Sequence, residues 1–278
     1  MLSLHKNTAG AVEQTDTIII IQIMPKPQIL ITNDDGISAP GIRYLIGIMK
    51  QLGDVAVVAP DKPQSAMGHA ITVGAPLRLQ KIVREPGYTE YSCNGTPVDC
   101  VKIGIDKVIH RRPDLLVSGI NHGSNSSINI IYSGTMSAAL EGAMLGIPSI
   151  GFSLHDYSHS ADFSLTGPFI KEICKNVLKN GIADGTALNV NFPPKKGTPK
   201  GIKICRQARA YWQEEFDERK DPFGRPYYWL KGVFTNHDLE KDTDEWALAH
   251  NYVSVVPVHF DFTAMHAIES LKKWKFNV

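Results

Sequence analysis

Two aspartates stand side by side at positions 34 and 35, where the apolar run QILIT (Gln28–Thr32) stops in the turn NDDG. A short apolar run bounded by turn residues reads as a buried parallel strand, so the pair sits at that strand's carboxyl end. One aspartate there is explained as a turn residue or a helix cap. Two in succession repel each other unless a cation lies between them. Ser65 follows a second apolar strand, DVAVVAP (Asp54–Pro60), and Asn121 follows a third at 114–118. In an open α/β sheet, ligands bind beyond the carboxyl ends of the strands, so Asp34, Asp35, Ser65 and Asn121 are expected on one rim. Carboxylate, hydroxyl and amide oxygens form a hard donor set suited to Mg²⁺, Mn²⁺ or Ca²⁺ rather than to zinc or copper. His69 and His122 flank the same loops and read first as surface or hydrogen-bonded histidines.

A second signal is Ser133-Gly134-Thr135, which opens the small-residue helix MSAALEGAMLG. Backbone N–H groups at a helix start, joined by two hydroxyls, make an anion site. Beside a metal rim, Ser133, Gly134 and Thr135 therefore read as phosphate-binding. A divalent cation facing such a helix end points to hydrolysis of a phosphate ester, in which a cation polarises a phosphoryl oxygen and the helix N–H groups hold developing charge. Asp35 is the firmer ligand in this reading, and Asp34 is a ligand that also takes the water's proton. The chain has no G-x-x-x-x-G-K-[ST], no strand-linked G-x-G-x-x-G and no G-x-S-x-G. This argues against a P-loop NTPase, a dinucleotide oxidoreductase and a hydrolase with a serine elbow.

These residues need a frame that brings distant segments together. After the first strand, Pro40 opens a helix with Ile42, Leu45, Ile46 and Met49 at helical spacing. Short strands are expected at 71–73, 77–83 and 88–93, a helix from Thr96-Pro97 through Val108, strands at 147–152 and 187–192, and a helix over 163–178. Past Pro193-Pro194 the character changes: extended arms at 203–211 and 226–233 are separated by a charged stretch, followed by a helix at 242–251, a strand at 252–258 and a helix at 264–274. The alternation predicts an α/β fold, a Rossmann-like three-layer sandwich with a mostly parallel central sheet. Residues 25–194 form its core, and 195–278 add an extended C-terminal arm for oligomerisation, a hairpin and a terminal helix. Residues 1–24 read as a disordered extension outside the fold.

Composition narrows the class. The 278 residues carry 29 Lys and Arg against 28 Asp and Glu, a net charge of +1, which gives no electrostatic footprint for coating nucleic acid or an anionic membrane. The four cysteines show no zinc-ligand spacing and read as reduced thiols of a cytoplasmic protein. The longest apolar run, around 18–24, is too short to span a bilayer, and no signal peptide is expected.

The ordered blocks ILITNDDGISAPGI, VVAPDKPQSAMGHAIT, NGTPVDCV, LLVSGINHGSN, IYSGTMSAALEGAMLGIPSI, DPFGRPYYWLKG and DTDEWALAHNYVSVVPVHFDFT closely resemble the SurE family of survival-protein nucleotidases. The resemblance covers about residues 27–275. It implies a metal-dependent phosphatase acting on nucleoside 5'-monophosphates, with side activity on 3'-nucleotides and short polyphosphate. It also implies one divalent cation per subunit, Mg²⁺ or Mn²⁺, held by Asp34, Asp35, Ser65 and Asn121, and a cytoplasmic homodimer or homotetramer joined through the C-terminal arm. This chain departs from the family pattern twice: Ala66 follows Ser65 where many members have glycine, and Asn129 stands where many carry an aspartate.

Two competing readings can be separated. An aspartyl-phosphate phosphatase needs a D-x-D arrangement after the first strand, and here the carboxylates are adjacent with Gly36 next. A non-catalytic nucleotide-binding regulator would use the same cradle, and is told apart by tight AMP binding without turnover.

Overall fold

Alternating apolar runs and amphipathic segments build a sheet covered by helices on both faces. The computed structural model describes residues 26–158, 160–194 and 197–276, so the expected extension at 1–24 lies outside the described residues. The strands are β1 (Gln28–Thr32), β2 (Asp54–Pro60), β3 (Leu79–Glu85), β4 (Tyr88–Cys93), β5 (Leu115–His122), β6 (Ser149–Leu154), β7 (Thr186–Phe192), β8 (Ile202–Ile204), β9 (Ala210–Lys220), β10 (Pro226–Asn236) and β11 (Val253–His259). The helices are α1 (Pro40–Met49), α2 (Pro97–Ile103), α3 (Gly134–Met144), α4 (Gly167–Asn180), α5 (Asp244–Ala249) and α6 (Met265–Leu271).

Nine strands form one sheet in the order β3-β4-β2-β1-β5-β6-β7-β11-β8. From β4 to β7 all neighbours are parallel, while β3 and β11 pair antiparallel to β4 and β7. Side chains alternate between two cores. Ile29 and Ile31 of β1 face α1 and α4, whereas Leu30 faces Cys100 and Val101 of α2 and Ala138 of α3. This is the three-layer, Rossmann-like α/β architecture read from the alternation. The chain leaves β1 toward β2 on one side and returns through β5 on the other. The β1/β5 edge is therefore the topological switch point where such sheets bind ligands.

Local chemistry sets the helix starts. Pro40 occupies the first turn of α1, whose Ile42, Leu45, Ile46 and Met49 are buried. Thr96 and Asp99 cap α2 reciprocally, and the Ser133 side chain accepts from the Met136 N–H at 3.0 Å to cap α3. The segment expected to stay helical to Val108 does so through a wider helical turn, Gly104–Ile109.

The structure departs from the sequence expectations in five places. Residues 71–73 form no strand; they lie in the exposed loop between β2 and β3, where Val73 has no facing strand to cover it. The third core strand does not stop at Ser118. As β5 it runs to His122, with a register shift against β6 between Ser118 and Asn121. There Gly119 takes φ +129°, and a Cβ on it would lie 2.3 Å from the Phe152 carbonyl oxygen. The helix expected over 163–178 starts at Gly167, because residues before it are held in a turn by Thr166 bonding the Phe163 carbonyl. The charged stretch after Tyr211 does not separate the two arms but continues the first as strand β9, paired along its length with β10, with Phe216 opposite Leu230. Of the C-terminal region, only β9–β10 stands off as a separate two-stranded ribbon, while β8 and β11 complete the main sheet.

Candidate active site

The turn after β1 is built by its own side chains. Asn33 Nδ2 donates to the Gly36 carbonyl at 2.9 Å, and Ile37 N–H donates to Pro60 O at 2.8 Å, which ties the turn to the end of β2. This closure presents Asp34 and Asp35 at the switch point. Asp34 is 5% exposed. Its Oδ1 accepts the Thr135 hydroxyl at 2.5 Å, and Gly134 lies so close that an added Cβ would fall 2.8 Å from Asp34 Cβ. Any side chain at 134 would push the start of α3 off the carboxylate. Asp35 accepts the backbone N–H of His122 at 3.2 Å, linking the first turn to the end of β5.

Ser65 lies on the β2–β3 loop, which is tied to the same turn by Gln64 N–H donating to Asp34 O at 2.8 Å. Ala66 adopts φ 59°, the left-handed region that favours glycine. This conformation gives a physical reason for the glycine that many family members place there. Asn121 donates through Nδ2 to Gly123 O at 2.8 Å, which leaves its amide oxygen as the free donor atom.

Asp34, Asp35, Ser65, Asn121 and Ser133 line one cavity of about 190 Å³. Gly134 and Thr135 do not line it. They stand behind Asp34, and Thr135, expected to bind phosphate, directs its hydroxyl to that carboxylate instead. His122 lines the cavity and His69 does not; His69 bonds Glu141 of α3 at 3.0 Å.

Other residues complete the wall of the cavity. Tyr157 gives no periodic or motif signal. Asn125 is held by a buried amide network: its N–H donates to Asn191 Oδ1 at 2.8 Å, and Asn189 Nδ2 donates to its carbonyl at 2.8 Å. Two asparagines inside the apolar strand ALNVNF were the signal available. Asn129 also lines the cavity and accepts the Trp212 indole N–H at 2.8 Å, so the base of the β9–β10 ribbon braces the pocket wall.

The electrostatics suit a cation. Burial, reinforced by the Asp35 charge, pushes the Asp34 carboxyl up to about 6 against the opposing Thr135 bond. Burial also raises Asp35, opposed by the His122 N–H. Both carboxylates are thus short of positive charge. Among the described residues, no group of three or more His, Cys, Asp or Glu side chains is arranged to hold a metal ion by itself. The site is accordingly two carboxylates with hydroxyl and amide oxygens, a donor set that fits one hard divalent ion and fits zinc poorly.

Fold and rim together define a Rossmann-like α/β protein with an oxygen-lined pocket and a helix N-terminus at its switch point. The family model for survival protein SurE matches residues 29–214. A protein named 5'-nucleotidase SurE from Flavobacterium psychrophilum is 62% identical, covering 91% of this chain and 100% of the relative. One of the same name from Bacteroides fragilis is 45% identical over 90% and 98%. The crystal structure of SurE protein from Aquifex aeolicus is 41% identical, with TM-score 0.78 over 88% of this chain and 98% of that one. The chain belongs to the SurE family.

Proposed function

We propose that this chain is a 5'-nucleotidase that hydrolyses nucleoside 5'-monophosphates to nucleoside and phosphate with the help of one divalent cation, Mg²⁺ or Mn²⁺, per subunit. The observation that carries the reading is the single cavity in which two adjacent carboxylates, Ser65 and Asn121 face the capped start of α3. Relatives named 5'-nucleotidase SurE at up to 63% identity support the activity.

Asp34, Asp35, Ser65 and Asn121 would hold the ion, which when bound supplies positive charge that polarises a phosphoryl oxygen and acidifies water. Asp35, fixed by the His122 N–H, serves as the firmer ligand. Asp34, bonded by the Thr135 hydroxyl, takes the proton of the attacking water in this reading. Ser133, at the capped start of α3 and on the cavity wall, holds the phosphate oxygens. Gly134 and Thr135 contribute by setting Asp34 rather than by touching phosphate. Activity on 3'-nucleotides and short polyphosphate follows if the cavity recognises the phosphate more than the nucleoside.

The β9–β10 ribbon exposes Phe216, Trp229, Leu230 and Val233, and this apolar surface supports assembly of a homodimer or homotetramer through it. Four buried cysteines without disulfides support a reducing compartment, the cytoplasm. No helix among the described residues is long and apolar enough to cross a membrane.

A panel of mononucleotides crossed with Mg²⁺ and Mn²⁺ tests the activity. Phosphate release from AMP or GMP that is abolished by EDTA and lost in Asp35→Ala is expected. Tight AMP binding with no turnover under any metal would favour a regulatory nucleotide-binding role instead.

A further inference from the structure

The loop between β2 and β3 carries Ser65, yet packing holds it poorly: Ser65 and its neighbours Ala66 and Met67 are exposed. Backbone bonds pin its two ends. Gln64 N–H reaches Asp34 O at 2.8 Å, and on the far side Thr72 N–H reaches Asp99 Oδ1 at 3.1 Å. Between these points a side-chain contact joins the loop to α3, with His69 Nε2 lying 3.0 Å from Glu141 Oε2.

Glu141 is out of place on composition alone. It lies among Ala and Gly in a helix buried almost throughout, and its side chain is 3% exposed. A carboxylate buried there is strongly disfavoured unless both oxygens are partnered. They are: Oε2 faces His69, and Oε1 takes the Lys102 ammonium of α2 at 2.5 Å. The partnership leaves the carboxylate rigidly aimed at the loop. The same helix fixes Asp34 through Thr135, so one rigid element references both the carboxylate side and the serine side of the rim.

We propose that Glu141 and His69 are positioning residues for Ser65, setting the loop against α3 so that the serine hydroxyl reaches the ion; this role rests on the reading of Ser65 as a ligand. Residues that orient metal ligands from behind typically cost about 10–100-fold in metal affinity when removed.

The test is a double-mutant cycle read as Mn²⁺ affinity of the full chain, by electron paramagnetic resonance of free Mn²⁺. Ser65→Ala and His69→Ala should each weaken binding about tenfold. The double variant should bind no more weakly than Ser65→Ala alone, because a displaced loop without its serine has nothing further to lose. His69→Gln, which keeps an N–H at similar reach, should recover most of the affinity. Undiminished affinity in His69→Ala while Ser65→Ala is weakened, or losses that simply add in the double variant, would overturn the pairing alone. Undiminished affinity in Ser65→Ala would remove the ligand reading, and the pairing with it.

Discussion

The hydroxyl of Thr135 meets the carboxylate of Asp34 at 2.5 Å, in surroundings where Thr135 is fully buried and Asp34 is 5% exposed. The contact crosses from the first turn of α3 to the end of β1, so two elements far apart in sequence share one bond. It stabilises the charged form of Asp34 against burial. Thr135→Val keeps the volume and removes the donor. The Asp34 carboxyl should then rise further, and Mg²⁺ or Mn²⁺ affinity near neutral pH should fall by about 10–100-fold. Thr135→Ser should restore it. Calorimetric titration of metal into the three proteins checks this, and unchanged affinity in Thr135→Val would show that the hydroxyl does not position the carboxylate.

Gly134 is required for a different reason, the close approach of α3 to Asp34. In Gly134→Ala the new methyl lies 2.8 Å from Asp34 Cβ, and that carbon is too near the backbone to swing away. A loss of about 1–3 kcal/mol in urea unfolding is expected, together with weakened metal binding. Gly47→Ala is the matched control. Its Cβ would meet no neighbour on the exposed face of α1, and the change should stabilise by about 0.5–1 kcal/mol. Equal stability of the two alanine variants would contradict the argument.

Asp34 also fixes the sign of a pH effect. Its carboxyl is raised from 3.8 to about 6 in the folded, metal-free protein. A raised carboxyl binds its proton more tightly when folded, so its contribution is fully present below about pH 4 and is lost as pH rises through about 6. Cation binding ionises the site and reverses that loss. The rise in Tm on adding Mn²⁺ should therefore be larger near pH 7.5 than near pH 5, and proton release on binding should be greatest near pH 5 and small near pH 7.5. Comparing the same protein with and without metal cancels distant groups such as Asp238, which Arg206 holds well below the usual carboxylate range. A metal-induced shift that is equal or larger in acid would count against the carboxylate pair.

Phe216 and Leu230 face each other across the β9–β10 ribbon and are both largely exposed. If this surface joins subunits, Phe216→Asp with Leu230→Asp should move the light-scattering mass from a multiple of the chain toward the single chain. The main sheet should stay folded, since it does not depend on the ribbon. An unchanged mass would place the subunit contact elsewhere.

The frame of the site was legible because β1 and β2 are unbroken apolar runs ending in turns, and buried parallel strands leave that mark. The convergence of Asp34, Asp35, Ser65 and Asn121 followed from strand ends sharing one rim. What stayed hidden depends on partners distant in sequence. The Thr135 hydroxyl reads as a cap or an anion ligand until Asp34 is seen beside it. Asn121 lies inside β5 because a register shift at Gly119 carries the strand onward, and no local pattern announces such a shift. The β9 strand is exposed on both faces, so it has no buried side to generate alternation, and its charges imitate a linker. Glu141 was visible as a lone acid in an apolar helix, but its purpose depends on His69 and Lys102.

The most direct measurement is an anomalous difference map from crystals of the full chain grown with Mn²⁺. A single strong peak per subunit, within bonding reach of Asp34, Asp35, the Ser65 hydroxyl and the Asn121 amide oxygen, is the predicted result. A well-occupied Mn²⁺ elsewhere, with that pocket holding only water, would contradict the account.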